Sequence, residues 1–141
     1  MRIFLDASVL LAAAGSANGA SRGVFDYAAA QGWTLVSSPW ALNEALRNLP
    51  DLQAQATRDW LPLRRRIFVA DDVVVLDRPV IFAASKDRPI LFTALASAEV
   101  LLTLDRADFA AMLGGTFYGL RVLLPCDFLT EERAAGRLPA A

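Results

Sequence analysis

The stretch "LLTLDRADF", Leu101 to Phe109, runs a buried-looking apolar strand straight into two aspartates placed three positions apart. One reading is local: Asp105 caps a following helix and Asp108 sits in its first turn, where the helix dipole favours negative charge. The other is that a core strand delivers carboxylates to one edge of a sheet to hold a cation. The surrounding elements decide what that edge can be.

Immediately upstream, "KDRPILFTALASAE" (Lys86 to Glu99) predicts a helix with Asp87 as N-cap, Pro89 in its first turn, and an apolar stripe of Ile90, Leu91, Ala94 and Leu95. "VLLTL" then reads as a strand and "DRADFAAML" as a short helix. Gly114 and Gly115 make a turn, "LRVLL" from Leu120 a last strand, and "CDFLTEERAAG" a final helix. Further out, "RIFLD" (Arg2 to Asp6) predicts a strand ending in an acid, and "SVLLAAAG" a helix closed by Gly15. "SRGVFDYAAAQG" (Ser21 to Gly32) predicts a second helix and "WTLVSS" a strand. "PWALNEALRNL" places Trp40, Ala41, Glu44 and Ala45 near one helical face before Pro50 stops the helix. A longer helix is expected over Leu52 to Phe68, and "VVVL" (Val73 to Leu76) reads as a doubly covered strand.

Strands alternating with helices in this way predict an α/β fold, a three-layer α/β/α sandwich with a mostly parallel central sheet, in which ligands bind beyond the carboxyl ends of the strands. At 141 residues the expectation is a single domain spanning 1–141.

Composition narrows the chemistry. With 55% hydrophobic and 21% charged residues the chain has ample core material. A net charge of -1 gives no general attraction for nucleic acid, so any polyanion must be bound locally. Asp6 interrupts the opening before an apolar signal core forms, and no uncharged stretch reaches membrane-spanning length, so a cytoplasmic protein without a membrane partner is expected. Cys126 is alone and reads as a small core residue. The absence of histidine excludes Ser-His-Asp and Cys-His nucleophiles and His-ligated zinc, which leaves the carboxylates.

Asp6, Glu44, Asp87 and Asp105 share a pattern: two end strands, one opens a helix and one rides a helix after the second strand, with Asp108 as an adjacent fifth. Singly, each has a structural explanation as a cap, a turn residue or, for Glu44, a partner of Arg47. Together they can converge on one rim, and Glu44 joins only if its helix packs across it. Crowded carboxylates raise one another's pKa unless a cation compensates, and an all-oxygen set without His or Cys favours Mg²⁺ or Mn²⁺. Such ions commonly take substrate phosphate oxygens as further ligands, which points to phosphoryl chemistry.

These residues resemble the PIN-domain ribonucleases, which include the toxin halves of VapBC-type toxin-antitoxin pairs. The matching pieces are "FLDASVLL", "SSPWALNEAL", "KDRPILFTALASAEVLLTLDRADF" and the closing strand with "PCDFL", in the family's order over nearly the whole chain. The resemblance implies that Asp6, Glu44, Asp87 and Asp105 are catalytic and bind one or two Mg²⁺ or Mn²⁺ ions, with Asp108 supplementary. It also implies that Ser8 and Thr103 support the site. RNA would be the substrate, cut to a 5′-phosphate and a 3′-hydroxyl. A homodimer and a cognate antitoxin protein are implied partners. Ala7 departs from the hydroxyl residue common after the first aspartate. Lys86, Arg88 and Arg106 flank the proposed ligands as candidate phosphate contacts, whereas Arg64 to Arg66 fan around a helix and read as solvated surface. Trp33, Trp40 and Trp60 read as core or interface. Two alternatives stand beside the toxin reading: a free-standing PIN nuclease, and an inactive PIN-like module whose acids serve only as caps.

Overall fold

The computed structural model describes residues 1–73 and 88–140. Asp87, Lys86 and all but Val73 of the expected Val73 to Leu76 strand lie outside the described residues.

Among the described residues, strands β1 (Arg2–Leu5), β2 (Thr34–Ser37), β3 (Phe68–Val69), β4 (Val100–Leu102), β5 (Thr116–Phe117) and β6 (Leu120–Leu123) form one sheet in the order β3-β2-β1-β4-β6-β5. All pairings are parallel except the β5–β6 hairpin. Residues alternate faces along each strand, and the cores divide accordingly. Ile3, Leu5, Leu35, Val100 and Leu102 pack with α1 (Ala7–Gly15), α2 (Ala20–Gln31), α4 (Ala54–Arg64) and α6 (Pro125–Ala134). Phe4, Val36, Leu101 and Val122 pack on the opposite face with α5 (Arg88–Ser97) and with Phe109 and Met112. This is the expected α/β/α sandwich.

Helix α3 (Pro39–Asn48) differs from the others because it touches both cores. Its Ala41 joins the core under α5, whereas its Leu42 and Ala45 join the core under α1. It therefore crosses the rim of the sheet, the condition Glu44 needed to approach the strand ends.

Local chemistry explains the boundaries that hold. Asp6 caps α1 by accepting the Ala7 N–H at 2.7 Å, Ser38 caps α3, and Gly32 closes α2 in the left-handed region at φ 68. Other boundaries differ. The helix expected to run from Leu52 to Phe68 stops at Arg64, with Pro62 in its last turn, and a 3-10 turn over Leu49–Asp51 precedes it. Buried Ile67 then anchors the chain, so Phe68–Val69 pair with Val36–Ser37 at the sheet edge rather than extending the helix. Arg65 and Arg66 accordingly lie beyond α4, and Arg66 donates to the Phe25 carbonyl at 3.5 Å.

The short helix expected over 105–113 is instead a succession of turns. Phe109 and Met112 must both reach the core, and Gly114, at φ 83, donates its N–H to the Val122 carbonyl and turns the chain into β5. Cys126 is exposed, not core, because α6 buries the face carrying Phe128, Leu129 and Glu132 and leaves Cys126 outward. Trp60 is core, Trp33 meets Phe128 edge-on at 5.0 Å, and Trp40 is exposed. No helix among the described residues is long and apolar enough to cross a membrane.

Candidate active site

The sheet order reverses at β1: β2 and β3 lie to one side of it, β4 and β6 to the other. Connections leaving the carboxyl ends of β1 and β4 therefore part company, and such a switch point is where open α/β sheets form their binding crevice. The pairing Leu5↔Leu102 sets Asp6 beside Thr103 at the mouth of that crevice.

Asp6 is 5% exposed. Its Oδ1 accepts the Ala7 N–H at 2.7 Å, while its Oδ2 accepts the Thr103 hydroxyl at 2.7 Å and the Ser8 hydroxyl at 3.1 Å. Each hydroxyl also accepts: Thr103 Oγ1 from the Asp105 N–H at 3.0 Å, and Ser8 Oγ from the Leu104 N–H at 3.1 Å. Because those backbone donors occupy the hydroxyl lone pairs, the hydroxyl protons point at Asp6. The arrangement presents one backbone N–H and two hydroxyls to the Asp6 carboxylate. The Asp6 pKa is raised above its ordinary value, chiefly by burial and further by the negative charge of Glu44, and the three hydrogen bonds offset only part of the rise. Glu44 is thus close enough to Asp6 for their charges to interact, as the passage of α3 across the rim allows.

Asp105 does not end its strand. Thr103 and Leu104 intervene after β4, and the network above holds Asp105 through its N–H. Its Oδ1 accepts the Asp108 N–H at 3.0 Å, so the capping role is realised on a turn rather than on a helix. Asp105 and Asp108 are half-buried, Arg88 is exposed at the start of α5, and Arg106 is exposed beside Asp105. Ser37 was not anticipated: wholly buried, it donates to the Leu5 carbonyl at 2.9 Å and ties β2 to the residue before Asp6. The "VSSPW" run carries the signal, since a hydroxyl pair before proline marks a strand end meeting a helix cap.

The donor chemistry fits a hard divalent cation: oxygen ligands only, centred on a buried carboxylate whose charge is opposed by burial and by Glu44. Among the described residues, no group of three or more acidic, histidine or cysteine side chains stands ready to hold one ion.

No family model matches the chain, and no curated protein sequence matches it. Several solved structures are similar, among them two of the VapBC type. One is VapBC2 from Rickettsia felis bound to a DNA fragment from its promoter (TM-score 0.60, 14% identity, 86% of this chain and 97% of that chain covered). The other is Mycobacterium tuberculosis VapC20, a sarcin-ricin loop cleaving toxin (TM-score 0.46, 17% identity, 81% and 96% covered). At such identity the first likeness speaks for architecture. The chain has the PIN-type, VapC-like fold that its sequence resembles.

Proposed function

We propose that this chain is a divalent-cation-dependent endoribonuclease, the toxin half of a VapBC-type pair. The observation that carries the reading is the buried, hydrogen-bonded Asp6 carboxylate at the β1–β4 switch point, with the charge of Glu44 acting on it. Asp6, Glu44, Asp87 and Asp105 would hold Mg²⁺ or Mn²⁺, with Asp108 supplementing them. When bound, the ion would supply a water of lowered pKa and a counter-charge for the scissile phosphate. Thr103 and Ser8 keep Asp6 Oδ2 in place, and through their second hydrogen bonds they hold the backbone that carries Asp105. Lys86, Arg88 and Arg106 are the phosphate contacts of this reading. The chain's pairing with an antitoxin is supported by the VapBC2 likeness, and the homodimer by the sequence resemblance.

A second reading has its own observations. Asp6 Oδ1 and Asp105 Oδ1 both accept backbone N–H groups in capping geometry, which suits an inactive module that binds protein and keeps its acids as caps. Cleavage of a pool of tRNA, rRNA and mRNA with Mg²⁺ or Mn²⁺ separates the two. A nuclease cuts with cation, stops with chelator, and loses activity on Asp105→Asn or Glu44→Gln with the fold intact by circular dichroism. Absence of cation-dependent cutting by the wild-type protein leaves the module.

A further inference from the structure

We propose that Trp40 is a stacking platform for an unpaired nucleobase beside the Asp6 crevice, an inference that rests on the nuclease reading and names how the substrate is gripped. Trp40 is 45% exposed although it begins a helix packed against both cores. Its helical turn is clamped twice: Ser38 Oγ accepts the Ala41 N–H at 3.3 Å, and Asp72 Oδ1 accepts the Trp40 N–H at 3.1 Å. An aromatic ring on so fixed a base gives up little freedom on binding.

Position says what the ring serves. Trp40 and Glu44 are four residues apart on α3 and share a stripe about 5–6 Å apart at Cβ. Helical side chains lean toward the helix N-terminus, and for α3 that is the end next to the carboxyl end of β2. β2 neighbours β1, whose end carries Asp6. On the other flank of Asp6, after β4, Leu104 is 41% exposed between Thr103 and Asp105. Apolar surface therefore borders the polar crevice from both adjoining strands.

The ligand that matches has apolar faces attached to a backbone requiring the crevice chemistry, which describes a single-stranded nucleic acid. Local charge disfavours gripping such a strand by its phosphates alone. The chain carries net charge -1, and Asp6, Glu44 and Asp72 stand along this rim, so counter-ion release at phosphates contributes little here. Stacking requires no positive charge and accepts every base.

The test uses an Asp105→Asn background, expected on the nuclease reading to fold and to lose cutting, and short single-stranded oligoadenylate as probe, alongside an abasic ribose-phosphate oligomer of equal length. Trp40→Ala is expected to weaken oligoadenylate binding about 5- to 150-fold, and Trp40→Phe to retain most of it. The abasic oligomer is expected to bind all three proteins alike. Unchanged oligoadenylate affinity in Trp40→Ala overturns the inference and leaves the nuclease reading standing. Equal losses on the abasic oligomer overturn it too, as does a changed oligomeric state by sedimentation with RNA affinity intact, which would assign Trp40 to a protein contact. Failure of the wild-type chain to cut any RNA, together with failure of the background to bind any, overturns the nuclease reading itself.

Discussion

The Thr103 hydroxyl donates to Asp6 Oδ2 at 2.7 Å, joining residues 97 positions apart across the seam between β1 and β4. Both residues are buried, and the same hydroxyl accepts the Asp105 N–H, so one side chain fixes two acids of the candidate site.

Thr103→Val keeps the shape and removes both bonds. Loss of a hydrogen bond to a buried carboxylate should cost about 1.5–3 kcal/mol, read as a lower urea midpoint, and Thr103→Ser should recover most of it. Nuclease activity should fall with Thr103→Val further than stability alone explains, because Asp105 loses its backbone anchor. A Thr103→Val protein as stable and active as wild type would remove the network from the account.

Cation binding should be visible without RNA. Mg²⁺ or Mn²⁺ at a hundred times its Kd should stabilise the folded protein by about 2.7 kcal/mol, seen as a raised calorimetric midpoint. Glu44→Gln and Asp105→Asn should each reduce that rise, and Asp6→Asn should abolish it. An equal rise in Asp6→Asn would place the ion elsewhere.

Acid stability should depend on Asp59. Gln55 donates to its Oδ2 at 2.8 Å and Arg22 at 3.0 Å, and these two hydrogen bonds lower its pKa below the ordinary 3.8. A lowered pKa means stability present above pH 3.8 and lost as pH falls through the folded value. The stability advantage of wild type over Asp59→Asn should therefore be flat at neutral pH and shrink below pH 3.8, measured by denaturant titration at several pH values.

Phe109 anchors the turns that follow Asp105 and is wholly buried. Phe109→Ala should cost about 3–5 kcal/mol through the cavity it leaves, measured by urea denaturation, and Phe109→Leu markedly less. Both should lower kcat more than they raise KM if the segment's role is to hold Asp105 in place.

Much of this was legible in the residues. Apolar runs and capping signals located β1, β2, β4 and β6 and the helices from α1 to α6 within a few positions, because those signals act between near neighbours. Phe68–Val69 was not legible: two residues that could extend a helix become a strand only because the edge of β2 is there to pair with. The turns after Asp105 escaped for a similar reason. Helix-forming residues in "DRADFAAML" yield to the need to bury Phe109 and Met112 and to reach β5 within a few residues. The exposure of Cys126 was misjudged because residue type sets a tendency to be buried, whereas the face turned outward depends on which helices pack where.

The sequence by itself determined the alternation of strands and helices, the exclusion of histidine and intrachain disulfide chemistry, and the carboxylates as the candidate groups on which the proposed function rests, since all of these follow from local pattern and composition. Only the tertiary structure decided that Asp6 meets Thr103, that Glu44 rides a helix crossing the rim, and that Asp105 hangs from a hydroxyl relay rather than from a strand end. The physical reason is that parallel register and the burial of both sheet faces bring together residues far apart in the chain, and no local preference encodes those meetings.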